Sequence, residues 1–396
     1  MCYLGNSDTE KDVEGRISIM QRAVEKAYEV ASTDEDTLKI FVAPEFFWRG
    51  PTGFYPFDVI DNPGKEGEYN AITEIGRALE DIIQQEKFSD WMFLFGTIIA
   101  AKETTLESSE GGVNEREIKD NTKKFQFLNF APVYKGFDPA TTSSNGMKFI
   151  VPKVRVSGID FLTEQRTPNP AYGEYDNVLF DEILDWLQEI GYIVIEESWF
   201  YMNDIAMSVE ICVDHLGKMA KNRLQNSSIT MVPSGGFGEY RNLSKPNGAQ
   251  ISLVSSAGMA IHKDSLVLDA GGTIFLQDGT NVLSNDELNT QQSQVQACEV
   301  IKVGGKDEAK WFCCERAYSA HQVYASFGEA EAALRGLFSI VNGTVPEIHL
   351  FKPLDIISVG GGDDAISESQ TTVGDVNATS ASDETNTATT TSFGEV

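Results

Sequence analysis

Apolar runs alternating with helical patterns constrain this chain more than any other feature. Residues 15–31 place Ile17, Met20, Val24, Ala27 and Ala31 at helical spacing, and an acidic stretch at 32–36 separates them from the apolar run 38–42. The pattern predicts helix, loop, strand. Ile72, Ile75, Leu79 and Ile82 line a second helix face, and the run 91–99 (WMFLFGTII) reads as a buried strand. Residues 125–134 and 148–156 predict further strands, and 178–188 a helix with Leu179, Ile183 and Leu187 on one side. Strands are then expected at 192–196, 205–213, 229–233, 265–269, 273–276, 295–303 and 347–351, with Gly271-Gly272 parting two of them as in a hairpin. Early alternation followed by hairpin-like neighbours predicts an α/β layered domain with mixed sheets.

Two stretches read as surface-loop insertions. Residues 103–124 are charged and contain Gly, Ser and Asn, and residues 163–176 carry Pro168 and Pro170 with little apolar content. From about Val359 the chain becomes a Ser/Thr/Ala/Asp/Glu tract without Lys or Arg. The tail, 359–396, is expected to be disordered.

Charge narrows the range of partners. Sixty acidic residues against 31 basic ones give a net −29, so a phosphate backbone or an anionic membrane would be repelled by most of the surface. Nucleic acid and membrane are therefore not expected partners. Five cysteines, an odd number without regular spacing, and the lack of an opening basic-then-apolar segment argue against a secreted disulfide framework. Because no apolar run approaches a membrane span, a cytoplasmic protein is expected. The four histidines and the adjacent Cys313-Cys314 show no zinc-ligand spacing, and no metal or organic cofactor is expected. Ser234-Gly-Gly-Phe-Gly238 lacks the Gly-Lys-Ser/Thr of a phosphate loop.

Three reactive side chains stand at or near the ends of strand-like runs. Glu45 follows Pro44 directly after an apolar strand and precedes Phe46, Phe47 and Trp48, a setting that raises a carboxyl pKa and suits it to act as a base. Lys153 follows Pro152 in a β-type run with Arg155 on the same phase, where an ammonium could steady an oxyanion. Cys212 closes the run 205–213, whose alternation puts Ser208, Glu210 and Cys212 on one face and Met207, Val209 and Ile211 on the other. A thiolate nucleophile needs a neighbouring cation or a base. Each residue alone has a plainer role: a loop carboxylate, an edge-strand lysine, a buried small hydrophobe. Together they suggest thiol-based covalent catalysis on a carbon–nitrogen bond, with the Val213 N–H as a second oxyanion donor.

These segments resemble the nitrilase, or carbon–nitrogen hydrolase, superfamily. Pro44-Glu45, Lys153 and Glu210-Ile-Cys212-Val-Asp214 look like its three signature pieces, and Phe95-Gly-Thr97, Leu128-Asn129-Phe130 and Val232-Pro233-Ser234 fall in family order between and after them. The resemblance covers roughly residues 15–280. It implies Glu45 as general base, Lys153 as the cation that holds the intermediate and Cys212 as nucleophile. It also implies a four-layer α-β-β-α sandwich over residues 1–358, a homodimer or higher homo-oligomer, and a small-molecule amide or carbamoyl substrate ahead of a nitrile. Glu164 is the nearest counterpart of a second family glutamate, with Glu210 as the substitute. Val213 and His215-Leu216 depart from the residues usual after the cysteine, the spacings around Lys153 are wide, and only Met1–Gly5 precedes the opening helix to supply a first strand. The alternatives are a non-catalytic binding or assembly protein on the same fold and, more remotely, a metal-dependent phosphoesterase.

Overall fold

The computed structural model describes residues 8–57, 69–104, 116–117, 124–137, 148–156, 160, 175–176, 181–202, 205–226, 231–233, 240–242, 248–279, 293–298, 301–303, 306–308, 313–318, 322–324, 348–350 and 390–392. The opening helix α1 spans Thr9–Val30 and is capped by Asp8, whose side chain accepts from the Glu10 and Lys11 N–H groups. Those are donors that the first turn of a helix leaves without intrahelical partners. Strand β1 (Lys39–Ala43) is buried along its whole length. The second helix, α2 (Ala71–Ile83), is capped by Asn70 in the same way.

Strand β2 (Trp91–Phe95) and strand β3 (Ile98–Thr104) occupy the apolar run read as one strand. The break falls at Gly96, whose φ of +76 lies in the left-handed region that a side chain disfavours. Both strands pair antiparallel with the long β4 (Lys124–Lys135), which pairs in turn with β5 (Lys148–Pro152). Beyond β5 lie helix α3 (Asp181–Glu189) and the short parallel neighbour β6 (Ile193–Val194). Since β1 runs parallel to β2, and β2 and β5 both run antiparallel to β4, the carboxyl ends of β1 and β5 lie at one end of this first sheet.

The second sheet holds β7 (Trp199–Met202), β8 (Ile205–Ile211), β9 (Ala249–Ser256), β10 (Leu268–Asp278), β11 (Ser293–Cys298) and β12 (Cys313–Tyr318), in that order. Its central pairs β8/β9 and β9/β10 are parallel and the outer ones antiparallel. The hairpin expected at Gly271-Gly272 is not there: both glycines lie inside β10, where the register against β9 shifts between Ala249 and Ile251. Glycine inside a strand fits a bulge as well as a turn, and here the extra residues are taken up as an irregularity in the ladder.

The molecule is therefore a mixed α/β protein with two mixed sheets and few helices. The sheets share one apolar cluster, with Val42, Leu94, Val133 and Val151 from the first meeting Phe200, Met207, Val209 and Ile211 from the second. A separate cluster joins the other face of the first sheet to α1, α2 and α3 through residues such as Val24, Ile75, Phe93 and Ile183. Behind the second sheet, Val254, Ile274 and Leu276 pack with Ala220 and Leu224 of helix α5 (Met219–Asn226), which follows the single-turn helix α4 (Val213–Leu216).

Among the described residues no helix is long and apolar enough to cross a membrane. The expected loops at 103–124 and 163–176 are described only in short strands: the end of β3, the start of β4, Arg116–Glu117, and Tyr175–Asp176. Of the tail, Thr390–Ser392 pairs parallel with β1, and the rest of 359–396 lies outside the described residues, as do the segments Met1–Gly5 and Ser234–Gly238.

Candidate active site

Glu45, Lys153 and Cys212 meet at the carboxyl ends of β1, β5 and β8. Lys153 Nζ donates to Glu45 Oε1 at 2.7 Å, and all three residues are buried. The Cys212 thiol lies close enough to Glu45 for its hydrogen bond to favour the carboxylate. Two of the three groups come from the first sheet and the sulfur from the second. Where the sheets meet, Ser255 Oγ of β9 donates to the Ala43 carbonyl at 3.1 Å, and the Cys212 N–H donates to the Ser255 carbonyl at 2.9 Å.

Local backbone explains why each side chain points inward. After β1 the chain turns through Phe46 with φ +66, and the Phe46 N–H is held by Thr97 Oγ1 at 2.9 Å, beside the break between β2 and β3. A Cβ at Gly96 would come within 2.4 Å of the Pro44 carbonyl oxygen, so this close approach needs glycine. From the other side Arg16 of α1, buried and paired with Asp12 at 2.8 Å, hydrogen-bonds the Phe47 carbonyl. Tyr55 adds its hydroxyl to Asp12 at 2.7 Å. Phe47 and Trp48 belong to the core between this helix and the sheet, so of the three aromatics after Glu45 only Phe46 lies beside the Lys153 ammonium, 5.7 Å from ring centroid to Nζ.

Cys212 departs from the strand alternation. It was expected on the face of Ser208 and Glu210, yet it packs in the inter-sheet cluster with Met207, Val209 and Ile211. The reason is that β8 ends at Ile211 and Cys212 sits at φ +48, ψ −113 before α4 begins. A non-glycine residue in that region costs on the order of 1–3 kcal/mol and persists only where its surroundings hold it. Phe46 and Cys212 both carry such a conformation within one site. Val213, as the first residue of α4, has an N–H with no intrahelical acceptor.

Lys153 lies just beyond β5 rather than inside a strand, and its backbone N–H donates to the Asn129 carbonyl at 2.8 Å. Asp214 holds the next two residues, accepting from the Val154 N–H at 2.9 Å and the Arg155 N–H at 2.7 Å. Burial lifts the Asp214 carboxyl to about 7 despite these two hydrogen bonds.

The second acid beside Lys153 is Asp160, which the sequence reading missed. Its Oδ1 accepts from Lys153 Nζ at 2.5 Å, and it is fully buried. The signal was available: Asp160 stands between Ile159 and Phe161, apart from the polar stretch that starts at Thr163. Glu164 lies outside the described residues. Glu210 faces away from the thiol, with Oε2 2.7 Å from His215 Nδ1 and Oε1 accepting from the Ala220 N–H at 2.9 Å.

Electrostatics follow from burial. Desolvation raises Glu45 to about 7 against the pull of Lys153. Burial opposes the Lys153 charge, but Asp160 and Glu45 together outweigh it and raise the pKa, so the ammonium stays protonated. Burial and the Glu45 charge push the Cys212 thiol well above its ordinary value, with Lys153 opposing. The resting thiol is neutral and has a carboxylate beside it that titrates near neutrality. Among the described residues no group of His, Cys, Asp and Glu could hold a metal ion.

Neither a protein-family model nor a curated protein matches the chain. A solved structure titled as a carbon-nitrogen hydrolase from Helicobacter pylori G27 aligns with 78% of this chain and 84% of that one, at 11% identity and a TM-score of 0.30.

Proposed function

We propose that this protein is a thiol-dependent hydrolase of a non-peptide carbon–nitrogen bond, in an amide or carbamoyl compound ahead of a nitrile, working through a covalent acyl-cysteine. The observation that supports it is the meeting of the Glu45 carboxyl, the Lys153 ammonium and the Cys212 thiol in one buried place, where desolvation raises the carboxyl and two acids hold the cation. A scaffold has no physical need of that combination.

In this reading Glu45 takes the Cys212 proton as sulfur attacks the carbonyl carbon, and the electron pair of the carbonyl moves onto oxygen. Lys153 and the Val213 N–H hold that oxygen. Glu45 then hands its proton to the departing nitrogen, the carbon–nitrogen bond breaks, and an acyl-cysteine remains. Water next loses a proton to Glu45 as it attacks, and the carbon–sulfur bond breaks with return of that proton to sulfur. Asp160 serves as the standing counter-ion of Lys153, which leaves Glu45 able to gain and lose its proton.

The reading carries with it the α-β-β-α sandwich of the resemblance, a homo-oligomeric assembly and chemistry without metal or organic cofactor. Its test is ammonia release from a panel of small amides, carbamoyl compounds and nitriles, with Cys212→Ala as control. Turnover that disappears in the variant is expected. Absence of ammonia from every compound with the thiols fully reduced, together with Cys212 alkylation by iodoacetamide no faster than at the other cysteines, would favour the non-catalytic alternative.

A further inference from the structure

Among the described residues two buried acceptors at this site are left open to a ligand or to the thiol. Apart from the Cys212 thiol beside Glu45, neither Glu45 Oε2 nor Asn129 Oδ1 has a hydrogen-bond partner among the described residues, although both residues are almost wholly shielded from solvent. Buried polar atoms are paired in the great majority of cases, and an orphan costs the full desolvation of its group. The two are neighbours: Asn129 Nδ2 donates to Glu45 Oε1 at 3.0 Å, and the same Oε1 accepts from Lys153. That contact also fixes which end of the amide is which, because the group facing a carboxylate oxygen must be the NH2. Asn129 Oδ1 is therefore the remaining atom of that amide, within a few ångströms of Glu45. Glu45 lies beside the thiol, which interacts with it, and Asn129 is tied to both Glu45 and the Lys153 backbone.

We propose that Asn129 Oδ1 and Glu45 Oε2 form the subsite for the leaving nitrogen, and that they select an unsubstituted –NH2 group. The inference rests on the hydrolase reading above and adds the substrate's leaving group to it. A primary amide brings two N–H donors to two waiting acceptors. When Glu45 has taken the thiol proton, Oε2 becomes the donor to the nitrogen lone pair, and Asn129 Oδ1 keeps one N–H in place while the carbon–nitrogen bond breaks. The products are ammonia and the acyl-cysteine, with the thiol proton now on ammonia. A nitrile nitrogen has no hydrogen to offer and would face acceptors with a lone pair. A dialkylated amide has none either. A site built to bond an N–H rejects analogues without one strongly, because its own buried groups are then left unpaired.

The experiment holds the acyl part constant and varies the leaving group: butanamide, N-methylbutanamide, N,N-dimethylbutanamide, butanenitrile and methyl butanoate, then the same five with a phenylacetyl group. The primary amide is expected to exceed the dimethylamide and the nitrile by at least about a hundredfold in kcat/KM. The ester, which needs no N–H, is the internal reference. In Asn129→Leu the amide-to-ester ratio should fall at least about tenfold, and this ratio cancels any general change at Glu45 or Cys212. A nitrile or dimethylamide turned over as well as the primary amide overturns the proposal, as does an unchanged ratio in the variant. Should Asn129→Leu not fold, the wild-type series decides alone. Turnover of neither ester nor amide in both series would instead remove the hydrolase reading, and this subsite with it.

Discussion

Two buried acid–base pairs flank the turn at Cys212, and they differ in completeness. On one side Glu210 spends both oxygens, one on His215 Nδ1 and one on the Ala220 N–H, and the far nitrogen of His215 accepts from the His262 N–H at 3.1 Å. On the other side Glu45 gives one oxygen to both Lys153 and Asn129, and its second has no partner among the described residues but the Cys212 thiol. Their burial is alike. A satisfied network holds α4, α5 and His262 around the Cys212 turn, so it is architecture. An unfinished one, beside two residues of positive φ, stores a cost that the proposed substrate would relieve.

Substitutions can break this contrast. Glu45→Gln should lower kcat/KM by about 10²–10⁴-fold, the range lost with a general base, while leaving the melting temperature unchanged or higher. Glu210→Gln should do the reverse, with activity within about tenfold of wild type and a stability loss of about 1–3 kcal/mol in denaturant titration, as one strong acceptor of a buried pair is removed. If both variants lose activity and stability in the same proportion, the two pairs are not different in kind.

The pH dependence sharpens the contrast with smaller effects. With Glu45 held at about 7 and needed ionised, kcat/KM should fall as pH drops through about 7, and this limb should be absent from the residual activity of Glu45→Gln. For stability the sign is opposite. A carboxyl whose folded pKa lies above its unfolded value near 4.5 favours the folded state below that value and loses this contribution as pH rises through about 7. The stability of Glu45→Gln relative to wild type should therefore rise between about pH 4.5 and 7. A flat difference across that window would mean that Glu45 titrates alike in both states.

Much of the fold was legible because buried strands and helix faces announce themselves by period. The helices beginning at Thr9 and Ala71 and the strands β1, β4 and β5 fall where the apolar spacing puts them. Legibility failed where a glycine or a positive φ broke the period. Gly96 split one run into two strands, Gly271-Gly272 stayed within a strand, and Cys212 left the face that alternation assigned it. The acid, the ammonium and the thiol were readable because each was a reactive group at a strand end. Asp160 was signalled only by its place between Ile159 and Phe161, and Asn129 was not recognised as a partner of Glu45, since a neighbour across strands leaves no mark in local spacing.

The division of the site between two sheets has a mechanical consequence. The carboxylate of Asp214, two residues past the sulfur, grips the backbone just after Lys153 and so ties the Cys212 turn to the end of β5 across the seam. Loosening of that seam would separate the sulfur from its base while each sheet kept its own ladder intact. On the proposed function, activity is then a gauge of how the halves dock, finer than any measure of how much strand or helix they retain.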